Sequence, residues 1–202
     1  PKSDIHPRLL AAARARFLAE GVDGASLRAI AADAGTSIGM VYYYFPTKDE
    51  LFLAVVEEVY EKVVRDLEQA LDPALPVRER LERMFERVAR FTDEELTMIR
   101  LVMREALISS SRLDRLIERF RRGHVPMILK TILDGFQNGT FDRSLHPLVI
   151  AFATIGLAGP SQLIRRAAAE RLPIQDAPSG EALARELVRV LFEGVGTKSS
   201  GS

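Results

Sequence analysis

Apolar positions recur every three to four residues along almost the whole chain, which is the period of a helix and not the period of two that a strand requires. Leu9, Leu10, Ala13, Phe17 and Leu18 mark a first helix that stops at Gly21. Leu27, Ile30, Ala31 and Ala34 line one face of a short second helix between Ser26, a good N-cap, and Gly35. A third runs from Ser37 to about Phe45. Pro46 ends it, because the residue before a proline is pushed out of the helical region. Thr47 then caps a long fourth helix, with Asp49 and Glu50 in its first turn, where carboxylates suit the helix dipole. Leu51, Val55, Val59, Val63 and Leu67 keep its period.

Beyond Asp72, Pro73 and Pro76 the pattern restarts. Leu81, Met84, Phe85, Val88 and Phe91 form one amphipathic helix, and Ile99, Leu101, Val102 and Leu107 fall in another that ends at the serines 109–111. Leu113, Leu116, Ile117 and Phe120 lead into Gly123 and Pro126, which should break or kink what continues through residues 127–136. Asn138 and Gly139 mark a turn. Residues 147 to about 172 and 181 to about 195 make the last two helices, separated by a loop with Pro173, Pro178 and Gly180. Residues 196–202 are small and polar and read as a disordered tail. No alternation and no internal repeat occurs, so the fold expected is all-α: three short helices in the first 45 residues, then longer ones.

Composition narrows the classes. A chain of 202 residues that is 47% apolar and 28% charged has the make-up of a soluble globular protein with a real core, which excludes disordered and collagen-like classes. It has no cysteine, which removes disulfides and thiolate chemistry and fits a reducing cytosol. No signal peptide pattern opens it. The longest apolar run, residues 148–159, falls short of the roughly 18 to 20 residues that span a bilayer and reads as a buried helix. The expected location is cytoplasmic, with no membrane partner.

A formal net charge of zero argues against indiscriminate coating of nucleic acid. Residues 1–48 nevertheless carry Lys2, Arg8, Arg14, Arg16, Arg28 and Lys48 against Asp4, Glu20, Asp23 and Asp33, a small local excess of positive charge. His6, His124 and His146 lie far apart without ligand partners at helical spacing, so no metal is expected. The serines 109–111 read as cap and loop, because no base is available to activate a nucleophile. Asp93, Glu94 and Glu95 read as a solvated helix junction. His124 shares the helical spacing of Leu113, Ile117, Phe120 and Met127 and so faces inward, either as a hydrogen-bonded core histidine or as a polar group in a pocket.

Tyr42, Tyr43, Tyr44 and Phe45 stand side by side, and neighbours on a helix leave the axis about 100° apart, so they cannot all enter one core. The second and third helices with the turn at Gly35 make a helix-turn-helix. Val41 and Phe45 should pack inward on Ile30 and Phe17, leaving Ile38, Gly39, Met40, Tyr43 and Tyr44 outward and Tyr42 at the border. Exposed tyrosine hydroxyls reach phosphate oxygens, and Gly39 leaves room for a duplex.

Residues 26–52, SLRAIAADAGTSIGMVYYYFPTKDELF, resemble the DNA-binding domain of the TetR/AcrR family of transcriptional regulators. The likeness covers about residues 7–55 and rests on the spacing of Gly35, Gly39, Tyr42, Phe45, Lys48 and Leu51. It implies DNA contact by Ser26, Arg28, Thr36, Ser37, Ile38, Gly39, Met40, Tyr42, Tyr43, Tyr44 and Lys48. Ile38 and Met40 depart from the family in offering no hydrogen-bonding group, which leaves apolar contact with thymine methyl groups. The likeness also implies a DNA-binding domain over residues 1–47 and a helical ligand-binding and dimerisation domain over 48–195, with 48–70 as the connecting helix.

The function expected is a ligand-responsive regulator, a repressor released from a palindromic operator by a hydrophobic or amphipathic small molecule, with no catalytic residue and no cofactor. The alternatives are a DNA-binding regulator with no inducer and an all-helical enzyme. A homodimer would place two recognition helices in successive major grooves. Ile155, Gly156, Gly159 and Leu163, with Leu183, Leu187, Val190 and Leu191, offer apolar faces for it. Met84, Phe85, Met103, Phe120, His124, Met127, Phe152 and Gln162 are the expected ligand-binding residues, grouped around the break at Gly123 and Pro126.

Overall fold

The computed structural model describes residues 4–108, 110–171 and 177–194. Among them are ten helices: α1 Ile5–Gly24, α2 Leu27–Asp33, α3 Ile38–Tyr44, α4 Lys48–Ala70, α5 Val77–Ala89, α6 Asp93–Ile108, α7 Ser110–Arg121, α8 His124–Gln137, α9 Pro147–Arg171 and α10 Gly180–Glu193. The all-α expectation holds. The expected tail at 196–202 and the prolyl loop position 173 lie outside the described residues.

The chain divides into two compact units. One comprises α1 to α3, α4 as far as Val63, and α6 with α7; the other comprises the end of α4, α5 and α8 to α10.

In the first unit the apolar period of the sequence becomes the core. Leu9, Ala13 and Phe17 of α1, Ile30 of α2, Val41 of α3 and Leu51 and Phe52 of α4 are fully buried. The rings of Phe17 and Phe52 meet edge to face with centroids 5.9 Å apart. Gly21 ends the first run of α1 with φ +80°, after which one more turn reaches Gly24. The Arg104 guanidinium of α6 packs over this kink so closely that a Cβ on Gly21 would lie 2.6 Å from it. Glycine is therefore required there by backbone conformation, whereas the guanidinium, at the end of a flexible side chain, can give way.

A buried cation organises the other end of this unit. Arg112 of α7, whose side chain is 7% exposed, donates to Glu105 Oε2 at 2.5 Å, to Asp49 Oδ1 at 2.9 Å and to both carboxylate oxygens of Asp23 at 2.9 Å. Burial opposes its charge, but the carboxylates of Glu105, Asp49 and Asp23 outweigh that and hold the guanidinium more firmly protonated than a free arginine. Arg14 pairs with Glu94 across α1 and α6.

Two sequence expectations need correction, and a third is narrowed. Glu95 is not solvated: it is 2% exposed, its carboxylate accepts from the Thr92 amide and the Thr92 hydroxyl accepts from the Glu95 amide, a capping box that starts α6. Of the break or kink expected at Gly123 and Pro126, the chain takes the break, with α7 ending at Arg121 and α8 starting at His124. Gly123 leaves the helical region, and Pro126 falls in the first turn of α8, where a missing amide breaks no hydrogen bond. Nor is α9 a buried helix. It runs for 25 residues through Pro160, and Leu148, Val149, Phe152, Ile155 and Ile164 stand exposed along it. By length and composition it is the one helix among the described residues long and apolar enough to cross a membrane.

The second unit packs α5 against α8, α9 and α10, burying Leu81, Met84, Phe85, Ile128, Ile132, Ala151, Ala184 and Val188. Arg80 is its buried cation, donating to the carbonyls of Leu75 and Pro73 and to Asp134 at 2.6 Å, so that the loop before α5 is held from below. That guanidinium keeps the Asp134 carboxyl below the usual carboxylate range.

Candidate nucleic-acid interface

The helix-turn-helix is built from short-range chemistry. Ser26 occupies the N-cap of α2 in extended conformation, but its hydroxyl makes no cap bond. Gly35 turns the chain with φ +63°, and the Thr36 amide returns to the Ala31 carbonyl at 2.9 Å. Ser37 then caps α3, accepting from the Met40 amide at 3.4 Å, and Thr47 caps α4, accepting from the Glu50 amide at 3.1 Å.

As expected, Val41 and Phe45 turn inward, where Ile30 and Phe17 are also buried. The outward face differs from expectation at several positions. Tyr43 and Tyr42 are 76% and 53% exposed, whereas Tyr44 is the border residue, half-buried with His6 edge-on at 5.5 Å. The first turn of α1 supplies that contact, which no pattern within α3 announces. Ile38 and Met40 are half-buried beside an exposed Gly39.

Gly39 is informative because neither its backbone conformation nor its space among the described residues requires a glycine. Its φ is not positive, and a Cβ there would meet only the Ser37 hydroxyl, at an ordinary 3.8 Å. Glycine in a helix costs roughly 1 kcal/mol relative to alanine. A glycine here leaves room for close approach of another backbone.

Charge on this face is selective. Arg16 is taken by Asp33 at 2.6 Å and Glu20 at 2.7 Å, and its guanidinium holds the Asp33 carboxyl below the usual range. Arg28 is exposed and makes no hydrogen bond or ion pair with the described residues. Lys48 donates to the Asp23 carbonyl at 2.8 Å. Arg8 was not foreseen as a site residue: its guanidinium lies 3.5 Å from where a Cβ on Gly35 would be, so it flanks the turn. Neither Arg8 nor His6 falls within an apolar period or a cap, and their only sequence signal is their place just ahead of Leu9.

The expected ligand residues fall in both units. In the first, Met103 is 40% exposed and the Phe120 ring meets Tyr60 at 5.2 Å. In the second, Met84 and Phe85 are buried on α5, and His124 and Met127 are half-buried at the start of α8. Gln162 is buried with its amide committed, donating to the Gly180 carbonyl at 3.1 Å and accepting from Arg165 at 3.2 Å. Phe152 is 71% exposed and stands on the outer face of α9 instead of in the core. Of the expected interface residues, Ile155 and Gly156 are exposed, while Gly159, Leu163, Leu183, Leu187, Val190 and Leu191 are half-buried.

Residues 9–55 match the family model for bacterial regulatory proteins of the tetR family. The chain is 24% identical over 149 residues to an uncharacterized HTH-type transcriptional regulator, YhgD, of Bacillus subtilis (strain 168), covering 74% of this chain and 78% of that one. Other curated helix-turn-helix regulators align over 38–52% of their own length. A TetR-like transcriptional regulator from Rhodococcus sp. RHA1 superimposes with a TM-score of 0.71 and 25% identity over 96% of this chain and 97% of that one. The regulator FadR from Bacillus subtilis, in complex with stearoyl-CoA, shares the fold with a TM-score of 0.73 at 17% identity, over 94% and 98% of the two chains. Residues 9–55 thus carry the helix-turn-helix of the tetR family of bacterial regulatory proteins, and the chain has the fold of TetR-like transcriptional regulators.

Proposed function

We propose that this chain is a ligand-responsive repressor that binds a palindromic operator as a homodimer and is released by an apolar or amphipathic small molecule. The observation that carries the DNA half is the outer face of α3, where Tyr42, Tyr43 and a glycine that neither backbone conformation nor space requires are exposed. An unpaired Arg28 adds a free cation at the start of α2. Residues 1–47 are the DNA-binding domain, and residues 48–195 carry ligand and partner. Ser26, Arg28, Lys48 and the tyrosine hydroxyls contact phosphates and base edges, while Ile38 and Met40 press on thymine methyl groups.

The partner is a second copy. Phe152, Ile155 and Gly156 give α9 an apolar outer face with a gap for close approach, which suits two-fold pairing, and a dimer supplies the two copies of α3 that a palindromic operator needs. The ligand site belongs to the second unit, with Met84 and Phe85 of α5 and Met127 of α8 as apolar lining and His124 as the polar contact. An acyl-CoA is the ligand class supported by the stearoyl-CoA complex of a protein of the same fold. The working location is the cytoplasm.

Selection of bound duplexes from a random pool by the full chain tests the reading. The retained sequences should share a two-fold motif with half-sites about 34 Å apart, and stearoyl-CoA should weaken that binding by the factor by which the operator weakens stearoyl-CoA binding. Retention of no common sequence removes the operator; unchanged affinity with stearoyl-CoA bound removes the inducer.

A further inference from the structure

Lys48, a phosphate contact in the proposed function on which this inference rests, is not free in the chain. Its ammonium donates to the carbonyl of Asp23 at 2.8 Å. The carboxylate of that same Asp23 receives Arg112 through both oxygens at 2.9 Å, and Arg112 also holds Asp49, the residue next to Lys48, at 2.9 Å. The third arm of Arg112 reaches Glu105, a carboxylate 1% exposed. One buried guanidinium at the corner of α6 and α7 therefore grips the last turn of α1 and the first turn of α4, on either side of the lysine. Arg104 closes the same corner over the kink at Gly21.

We infer that Arg112 is a positioning residue for DNA binding: through Asp23 and Asp49 it sets where the Lys48 ammonium stands, so that displacement of the α6–α7 corner withdraws a phosphate contact. The chain of contacts Glu105–Arg112–Asp23–Lys48 ties the corner to the DNA face with one covalent residue, Asp23, serving both neighbours. Its parts are unequal. Glu105 and Arg112 are buried, and an unpaired charge at such a place is costly. Asp23 is 75% exposed, so its carboxylate adds little to stability and is free to act as the adjustable joint. One oxygen of Glu105, Oε1, has no hydrogen-bond partner among the described residues, so the corner holds Arg112 with an acceptor to spare.

Asp23→Asn separates positioning from plain electrostatics, because the two predict opposite signs. Removing a negative charge near DNA should by itself tighten binding. Loss of the Arg112 grip should instead weaken it, roughly three- to tenfold, and only where Lys48 is present to be misplaced. The experiment is a salt titration of DNA binding, on duplexes selected by the wild-type chain, for wild type, Asp23→Asn, Lys48→Ala and the double variant, with melting temperatures alongside. Expected are a melting temperature close to wild type, weaker binding for Asp23→Asn, and no further loss when Asp23→Asn is added to Lys48→Ala. The pair Arg112→Met with Glu105→Gln, which leaves no buried charge behind, should reproduce the loss. Binding that is unchanged or tighter in Asp23→Asn, or a loss that persists in the Lys48→Ala background, overturns the inference. A wild-type chain that retains no DNA from the pool overturns the function beneath it, and the relay with it.

Discussion

The outer faces of α3 and α9 both expose large side chains, yet they differ in what those side chains carry at their tips. Tyr42 and Tyr43 end in hydroxyls, while Leu148, Val149, Phe152, Ile155 and Ile164 end in methyl groups or bare rings. A hydroxylated ring suits a surface that is half apolar and half phosphate, as the edge of a groove is; a wholly apolar stripe suits another apolar stripe. Each face also holds a glycine, Gly39 and Gly156, where an added Cβ would meet little or nothing within the chain. The common device is a gap for close approach, and the tips decide what approaches.

The largest expected effect comes from breaking the apolar face. Phe152→Glu places a charge where the second copy would bury it, which costs several kcal/mol. The chain should sediment as a monomer and lose roughly 100-fold or more of its operator affinity, since the two half-sites then bind separately. A dimer that survives Phe152→Glu would put the interface elsewhere.

Next come the contacts of the other face. Arg28→Ala should cost about 1–3 kcal/mol and relax one base preference. Tyr43→Phe keeps the ring and removes only the hydroxyl, so it should cost about 0.5–1.5 kcal/mol; unaltered affinity would mean that the ring alone matters and that α3 resembles α9 more than its chemistry suggests.

The glycines give a smaller effect with two signs. Gly39→Ala and Gly156→Ala should each raise folding stability by about 0.5–1 kcal/mol in denaturant titrations. Gly39→Ala should weaken DNA binding without touching dimerisation, and Gly156→Ala the reverse. Either substitution that stabilises the fold at no functional loss shows that its gap is unused.

Smallest is a control away from both faces, Asp134→Asn in α8, which should leave dimer and operator affinity as they are. Its signature lies in acid. Because Arg80 depresses the Asp134 pKa, folded chains favour the carboxylate. That stabilisation is present in full above about pH 4, where the unfolded carboxylate is ionised, and is lost as pH falls below it. Melting measured from neutral to acid pH should therefore fall less steeply in the variant, from a lower starting point.

How much of this was legible beforehand follows the sequence range of each cause. The caps at Ser37 and Thr47, the turn at Gly35 and the inward pair Val41 and Phe45 act over a few residues, and the pattern disclosed them all. The guanidinium of Arg112 meets partners 63 and 89 positions away, and Arg80 meets Asp134 across 54. Neither arginine interrupts a helical period in a way that marks it as buried. Tyr44 exchanged roles with Tyr42 for the same reason, since His6 comes from another helix. Whether Pro126 breaks or bends the helix is open in the sequence because the start of α8 decides it, and a proline one turn further along would have bent the helix. The stripe on α9 was visible as hydrophobicity; that it faces outward was not, because period alone does not say which neighbours are present.

The length of α4 has a mechanical corollary. Its 23 residues from Lys48 to Ala70 make one uninterrupted rod of about 34 Å. A rod of that length pivoting at its far end through only about 5° sweeps its tip through about 3 Å, the whole span of a hydrogen bond between heavy atoms. Leverage of this kind turns an angular change too slight to disturb the packing at the fulcrum into the complete loss of a contact at the tip.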